Sequence, residues 1–283
     1  MSLREQGLPR AGLVDAYAPR PPDGLSTIIQ FVDKTLVIAE LEARKLRHDP
    51  TEVIMRAIQP VLWLLVFGEV FSRTHAVPTG GLPYLDFMAP GILAQSVLFI
   101  AIFYGIAVIW ERDLGIVHKF LASPTPRAAL VLGKALSASL RSLSQMLIIY
   151  ALAWLLGVDL SWNPVALAGV LCVVILGAAL FSTLSLIIAS VVKTRERFMG
   201  IGQVLTMPLF FASNAIYPAA MMPPWLQAVA RVNPLTYEVD ALRALMLSGG
   251  VSAFGLGADF TVLLVAVAIM VVIGGKLYPR VAT

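Results

Sequence analysis

The sequence predicts an all-α integral membrane protein on three observations. Of 283 residues, 58% are hydrophobic and only 13% are charged, against roughly a quarter charged in a soluble domain, and the mean hydropathy is +0.83. Six apolar segments, near residues 53–71, 87–110, 136–156, 165–192, 198–217 and 256–275, are each long enough for a hydrocarbon core that takes about 20 helical residues. The Lys and Arg residues gather on alternate connections between them, which accounts for the net charge of +4 through membrane topology and gives no reason to expect a nucleic-acid partner.

The chain divides into a tail, residues 1–25, and a membrane domain, residues 26–283. The first 24 residues are rich in Pro, Gly and charge and lack the apolar core of a cleavable signal, so they read as a flexible cytoplasmic tail. Residues 26–49, "STIIQFVDKTLVIAELEARKLRHD", place Ile28, Val32, Thr35, Leu36, Ala39, Ala43 and Leu46 on one helical face, with Lys34, Glu40, Arg44, Lys45 and Arg47 mostly off it. That pattern suits an amphipathic elbow helix lying in the membrane interface.

Charges bound the spans that follow. Arg56 and Arg73, and likewise Asp259 and Lys276, lie 17 positions apart, or roughly 25 Å of helix. Counting back from Asp159 puts Arg141 at the far edge of the third span, with Lys134 beyond it. The tail and elbow hold seven Lys or Arg, and the same side receives Arg112, Lys119, Arg127, Lys193, Arg195, Arg197, Lys276 and Arg280. The other side has Arg73, Arg231 and Arg243. Both termini are therefore expected in the cytoplasm, with the chain multi-pass in the plasma membrane.

Two stretches between spans are informative. The loop "ERDLGIVHKFLASPTPRAALVLGK", residues 111–134, opens with Glu111, Arg112 and Asp113, and continues as a short helix with Leu114, Val117, Phe120 and Leu121 apolar. It stops at Ser123-Pro124-Thr125-Pro126, which a helix does not continue through. On the opposite side, residues 214–250 hold two short helices. Pro224 starts one, beginning at Trp225, and Asn233 with Pro234 supplies an N-cap and first-turn proline for the other. In the second helix Leu235, Val239, Leu242 and Met246 form an apolar stripe, and Asp240 and Arg243 are spaced to pair on a polar side that stays hydrated or paired. At roughly 12 and 20 Å neither helix spans, so the two form a re-entrant outer hairpin between the fifth and sixth spans.

"MPPWLQAVARVNPLTYEVDALR", the charged second loop and the elbow-plus-six-span layout together resemble the transmembrane permease subunit of ABC-2 type transporters, closest to the drug and antibiotic-export branch. The resemblance implies a homodimer, or a pair with a second permease, assembled with two ATP-binding subunits. It implies that Arg44, Arg47, Glu111, Arg112, Asp113, Leu114, Val117 and Phe120 meet the ATPase subunit. Trp225, Asn233, Pro234, Tyr237, Asp240 and Arg243 then belong to the re-entrant helices. An amphipathic or lipid-like substrate is implied, with polysaccharide or wall-polymer export as the alternative.

No G-x-x-x-x-G-K-[ST] phosphate loop occurs, so ATP and Mg are expected on a separate chain and no cofactor on this one. Catalytic and metal sites are not expected either: His48, His75 and His118 have no ligand spacing, and no G-x-S-x-G elbow is present. Lone Cys172 sits in an apolar run. An ion-driven carrier is the rival class, resting on Glu69 and Asp259 as proton carriers, against which they read as interfacial or inter-helix pairs. Gln95, Ser96, Gln145, Ser182, Ser185, Gln203, Ser213 and Asn214 are the candidate path residues, with helix-to-helix hydrogen bonding as the competing role.

Overall fold

The computed structural model describes residues 55, 58–74, 77–115 and 127–278, with side chains from residue 130 in the last stretch. The tail, the elbow helix, Arg44, Arg47, Val117, Phe120 and all three histidines lie outside the described residues. Within them the chain is helical, with one isolated antiparallel bridge, Leu160 to Leu247. We number the helices α1 (residues 58–74), α2 (Tyr84–Asp113), α3 (Arg127–Leu155), α4 (Pro164–Val191), α5 (Arg195–Phe211), α6 (Pro224–Val232), α7 (Pro234–Met246) and α8 (Leu256–Leu277).

Four of these, α2, α3 from Leu130, α4 and α8, are long and apolar enough to cross a membrane. The first expected span is described at residue 55 and continuously from residue 58, and widens into a π-helical stretch, Trp63–Gly68. The fifth corresponds to α5, which ends at Phe211 rather than at the expected 217. Its last carbonyls are taken by side chains: Asn233 Nδ2 donates to Leu209 and Ala212, Ser213 Oγ to Phe210, and Tyr217 Oη to Phe211. A helix end so satisfied has nothing to gain by continuing. Conversely, α3 starts nine residues before the expected 136, which carries it about 13 Å further from the hairpin end. Arg141, expected at the edge of the span, is consequently the midpoint of α3.

Helix α4 starts where Asn163 accepts the Val165 amide hydrogen and Pro164 occupies the first turn. It lies at the centre, against α2, α3, α7 and α8. Small residues allow these crossings. Gly105 of α2 meets Ser185, whose hydroxyl accepts the Gly105 amide and donates to the Ile102 carbonyl. Gly169 of α4 receives the Leu245 side chain, and Gly177 receives the Glu238 carboxyl. Such close backbone approach is the main route to tight helix packing where lipid removes the hydrophobic drive between helices. The outward face of α8 exposes Leu264, Val265, Ile269 and Val272, and Cys172 on α4 is exposed too.

Candidate functional site

The three charges closing α2 each brace a different neighbour. Glu111 forms an ion pair with Lys134 of α3. Arg112 donates to the carbonyls of Val192, at 3.3 Å, and Lys193, at 2.7 Å, which follow the last turn of α4; these are groups that a helix C-terminus leaves unsatisfied. Asp113 pairs with Arg195, the first residue of α5, at 2.9 Å, and the Arg195 guanidinium lies 3.4 Å from the Trp110 ring centroid. Exposed ion pairs add little stability singly. Here they fix the relative positions of four helix ends, and Leu114, 67% exposed, caps the assembly. Of the residues expected to meet a partner, Glu111, Arg112 and Asp113 are thus engaged within the chain, while Leu114 faces outward.

At the opposite end α6 and α7 form the expected pair of short helices. Asn233 accepts the Leu235 amide hydrogen at 3.0 Å while its own amide donates to Leu209, 2.7 Å, and Ala212, 3.1 Å. One side chain therefore caps α7 and terminates α5. Asn233→Ala is expected to destabilise the folded protein by about 2–3 kcal/mol, a cap plus two buried hydrogen bonds. Thermal unfolding in detergent measures it, and Asn233→Asp, which keeps the cap and loses the donors, should fall between. Tyr237 Oη donates to the Arg231 carbonyl at 2.7 Å and its ring meets Phe254 at 5.0 Å. Trp225 is 68% exposed.

The polar side of α7 differs from the expectation. Asp240 and Arg243 do not pair, and neither is hydrated: both are buried. Asp240 accepts from Ser252 Oγ, 2.9 Å, and the Phe254 amide, 3.0 Å. Arg243 donates to the carbonyls of Asn214, 2.8 Å, and Phe87, 3.3 Å, and lies 3.9 Å from the Phe87 ring centroid. The reason is tertiary, because α7 is packed against α2, α4 and α8 and little of its circumference is left for water. Burial pulls Arg243 down to about 10, against the raising charge of Asp240, so it remains charged at neutral pH. Glu238 was not singled out from sequence. It is fully buried, both carboxyl oxygens lack a hydrogen-bond partner, and burial holds its carboxyl well above the usual range. A helical wheel carried the signal: at about 100° per residue Glu238 falls about 40° from Leu242, on the flank of the apolar stripe.

The candidate path residues do not form one set. Ser96 and Gln145 line a cleft of about 330 Å³ between α2 and α3, closed on one side by Gln59 and Pro60. Gln95 is buried beside it in sequence without lining it. Ser182 donates to Ala179 within its own helix, and Ser185 and Ser213 serve the helix contacts described above. Gln203 is exposed on α5, and Asn214 lies in the turn beneath Arg243. The rival proton carriers separate similarly. Glu69 is exposed and pairs with Arg73 at 2.8 Å, whereas Asp259 is buried and accepts from Ser252 at 2.7 Å. Among the described residues no cluster of potential ligands would hold a metal ion.

Residues 34–247 match the family described as ABC-2 type transporter. The chain is 28% identical over 219 residues to the transport permease ycf38 of Cyanophora paradoxa, covering 76% of this chain and 74% of that one. It is 27% identical over 200 residues to a daunorubicin resistance ABC transporter permease protein of Streptomyces coeruleorubidus, covering 71% and 70%. Nodulation protein J of Bradyrhizobium diazoefficiens is 28% identical over 172 residues, covering 60% and 64%.

Proposed function

This chain belongs to the ABC-2 type transporter family, and from that premise we propose that it is the permease subunit of an ATP-driven exporter of amphipathic, drug-like or lipid-like compounds. ATP and Mg are held by a separate nucleotide-binding subunit, since this sequence has no phosphate loop. Two permease copies and two ATPase subunits make the working complex, in the plasma membrane with both chain ends in the cytoplasm. The drug-resistance permease among the relatives supports the substrate class.

The observation that carries this reading is the brace at Glu111, Arg112 and Asp113. A partner pressing on the segment that begins at Leu114 moves α2 directly, and through the three contacts it moves α3, the end of α4 and the start of α5 together. A rigid link between a remote motor and several spans is what alternating access requires. Arg112→Ala removes the tie to the Val192 and Lys193 carbonyls just past α4 and leaves Leu114 unchanged. In a complex co-purified with its ATPase subunit, that variant is expected to hydrolyse ATP while transport per ATP falls about tenfold, the scale of one lost charge-assisted contact. Normal transport in this variant refutes the coupling role. Transport by the wild-type chain without any ATPase subunit refutes the permease reading itself.

A further inference from the structure

At the hairpin end, α7, α8 and the loop between them meet around one hydroxyl. Ser252 of that loop lies 2.9 Å from Asp240 Oδ2 of α7 and 2.7 Å from Asp259 Oδ2 in the first turn of α8. Its Oγ also accepts the Gly255 amide hydrogen at 2.7 Å. A serine hydroxyl has one hydrogen to give and two lone pairs to receive with. Gly255 takes one lone pair, and the hydrogen serves one carboxyl. The contact with the other carboxyl sets lone pair against lone pair unless that carboxyl carries a proton and donates it. All three contacts are therefore hydrogen bonds when one of the two acids is protonated.

The surroundings select the acid. Asp240 Oδ2 accepts the Phe254 amide hydrogen as well, at 3.0 Å, and its charge acts on Arg243 of the same helix, neighbours that suit a carboxylate. Asp259 is fully buried, and its Oδ1 has no hydrogen-bond partner. An ionised oxygen so placed is far more costly than the carbonyl oxygen of a neutral acid. We propose that Asp259 is a proton-binding site: it donates the bound proton to Ser252, Ser252 donates to Asp240, and this relay latches the hairpin to the last helix. The elements packed around it bring little compensation. On α7, Glu238 is turned towards Gly177 of α4, and α4 itself has no charged residue. Helix α2 contributes Asp86 in its first turn, and the loop before α4 contributes Asp159, whose carbonyl accepts the Ser248 amide hydrogen. Helix α3 has Tyr150 near this end, with Lys134 and Arg141 in its other half; Lys276 closes the far end of α8, and Arg231 lies on α6. Loss of the proton thus leaves two negative charges on a hydroxyl that can satisfy one, and α7 and α8 part there.

The site does not depend on the permease reading, and neither does its test. The full chain in zwitterionic nanodiscs carries Glu238→Gln, which removes the other buried acid of α7, and is followed by infrared spectroscopy and by hydrogen–deuterium exchange of residues 250–256. At pH 7 the infrared spectrum is expected to contain the carbonyl band of a protonated carboxyl that Asp259→Asn abolishes. The closed latch holds a proton that the open latch releases, so protection of residues 250–256 is full at low pH and is lost as pH rises through the closed-state value. The loss should approach about tenfold per pH unit beyond the intrinsic change in exchange, the limit for an opening that releases one proton. Asparagine at 259 reproduces the neutral acid, its amide donating to Ser252, so Asp259→Asn should fold and keep protection at every pH. Asp86→Asn, at a carboxyl near the same end, should leave both the band and the pH dependence in place. A spectrum at pH 7 in which Asp259→Asn removes no protonated-carboxyl band overturns the proposal. So does protection that ignores pH before that substitution, protection that still falls with pH after it, or an Asp259→Asn chain that fails to fold. Loss of the pH dependence in Asp86→Asn with Asp259 intact moves the proton elsewhere and overturns it equally.

Discussion

Arg243→Met is expected to lower the stability of the folded protein by about 3–5 kcal/mol, since it strips a buried charge from the carbonyls it serves. The guanidinium joins three parts of the chain: it sits on α7, stacks on the Phe87 ring of α2, and donates to Phe87 and to Asn214 in the turn after α5. Nothing else described donates to the Asn214 carbonyl. Two further contacts close the same junction. Tyr84 Oη donates to the Ile216 carbonyl at 3.0 Å, and Gly91 lies so close that a Cβ would come within 2.8 Å of Ala215 Cα. Methionine fills part of the volume but supplies no donor, and the backbone at Gly91 leaves little room to rearrange. Arg243→Lys keeps the charge without the flat face and the fork, so it should recover only part of the loss. Thermal unfolding in detergent reads both; a loss of this size is a fall of roughly 10 °C for a chain of this length. An Arg243→Met protein that melts with the wild type would remove the guanidinium from any role in seating the hairpin.

That junction also marks where the sequence stops being legible. The apolar runs locate the long helices well because hydrocarbon-facing and core-facing residues are alike apolar. The expected 165–192 and the observed Pro164–Val191 differ by one residue at each end, helped by the local cap of Asn163 and Pro164. The end of α5 is set instead by Asn233, which is more than twenty residues away from the carbonyls it satisfies, and no local pattern announces that. Spacing brings Asp240 and Arg243 onto neighbouring positions, but each finds a better partner in another element. Polarity alone likewise could not sort the candidate path residues. A serine hydroxyl reaches a carbonyl of its own helix as readily as a ligand, and Ser182 does so, whereas the cleft that holds Ser96 and Gln145 depends on how α2 and α3 meet. The charges Glu111, Arg112 and Asp113 stand out in the sequence as a cluster at the end of a span, yet their tying of α3, α4 and α5 follows only from the fold.

Glu238→Gln is expected to flatten the dependence of stability on pH. The Glu238 carboxyl is fully buried where α7 crosses α4, and a Cβ on Gly177 would collide with it. Helix α4 contains no charged residue to compensate it. Desolvation therefore raises its folded-state value well above the ordinary 4.5, and the folded chain holds a proton that the unfolded chain has released. The sign follows from linkage: this contribution is fully present below about pH 4.5 and is lost as pH rises through the folded-state value, with a limiting slope of about 1.4 kcal/mol per pH unit. Wild-type protein should accordingly melt lower at pH 8 than at pH 5. Glutamine has the shape of the protonated acid and no proton to lose, so its melting temperature should match the wild type at the acid end and exceed it at the alkaline end. Glu69→Gln, at an exposed carboxylate paired with Arg73, is the matched control and should leave the wild-type trend in place. If Glu238→Gln and wild type lose stability in parallel from pH 5 to pH 8, the proton at the α4–α7 crossing is not what holds the hairpin down. If the trend disappears, the seating of α7 on the central helix is set by one neutral carboxyl, and alkaline conditions loosen the hairpin without touching the charged brace at the other end.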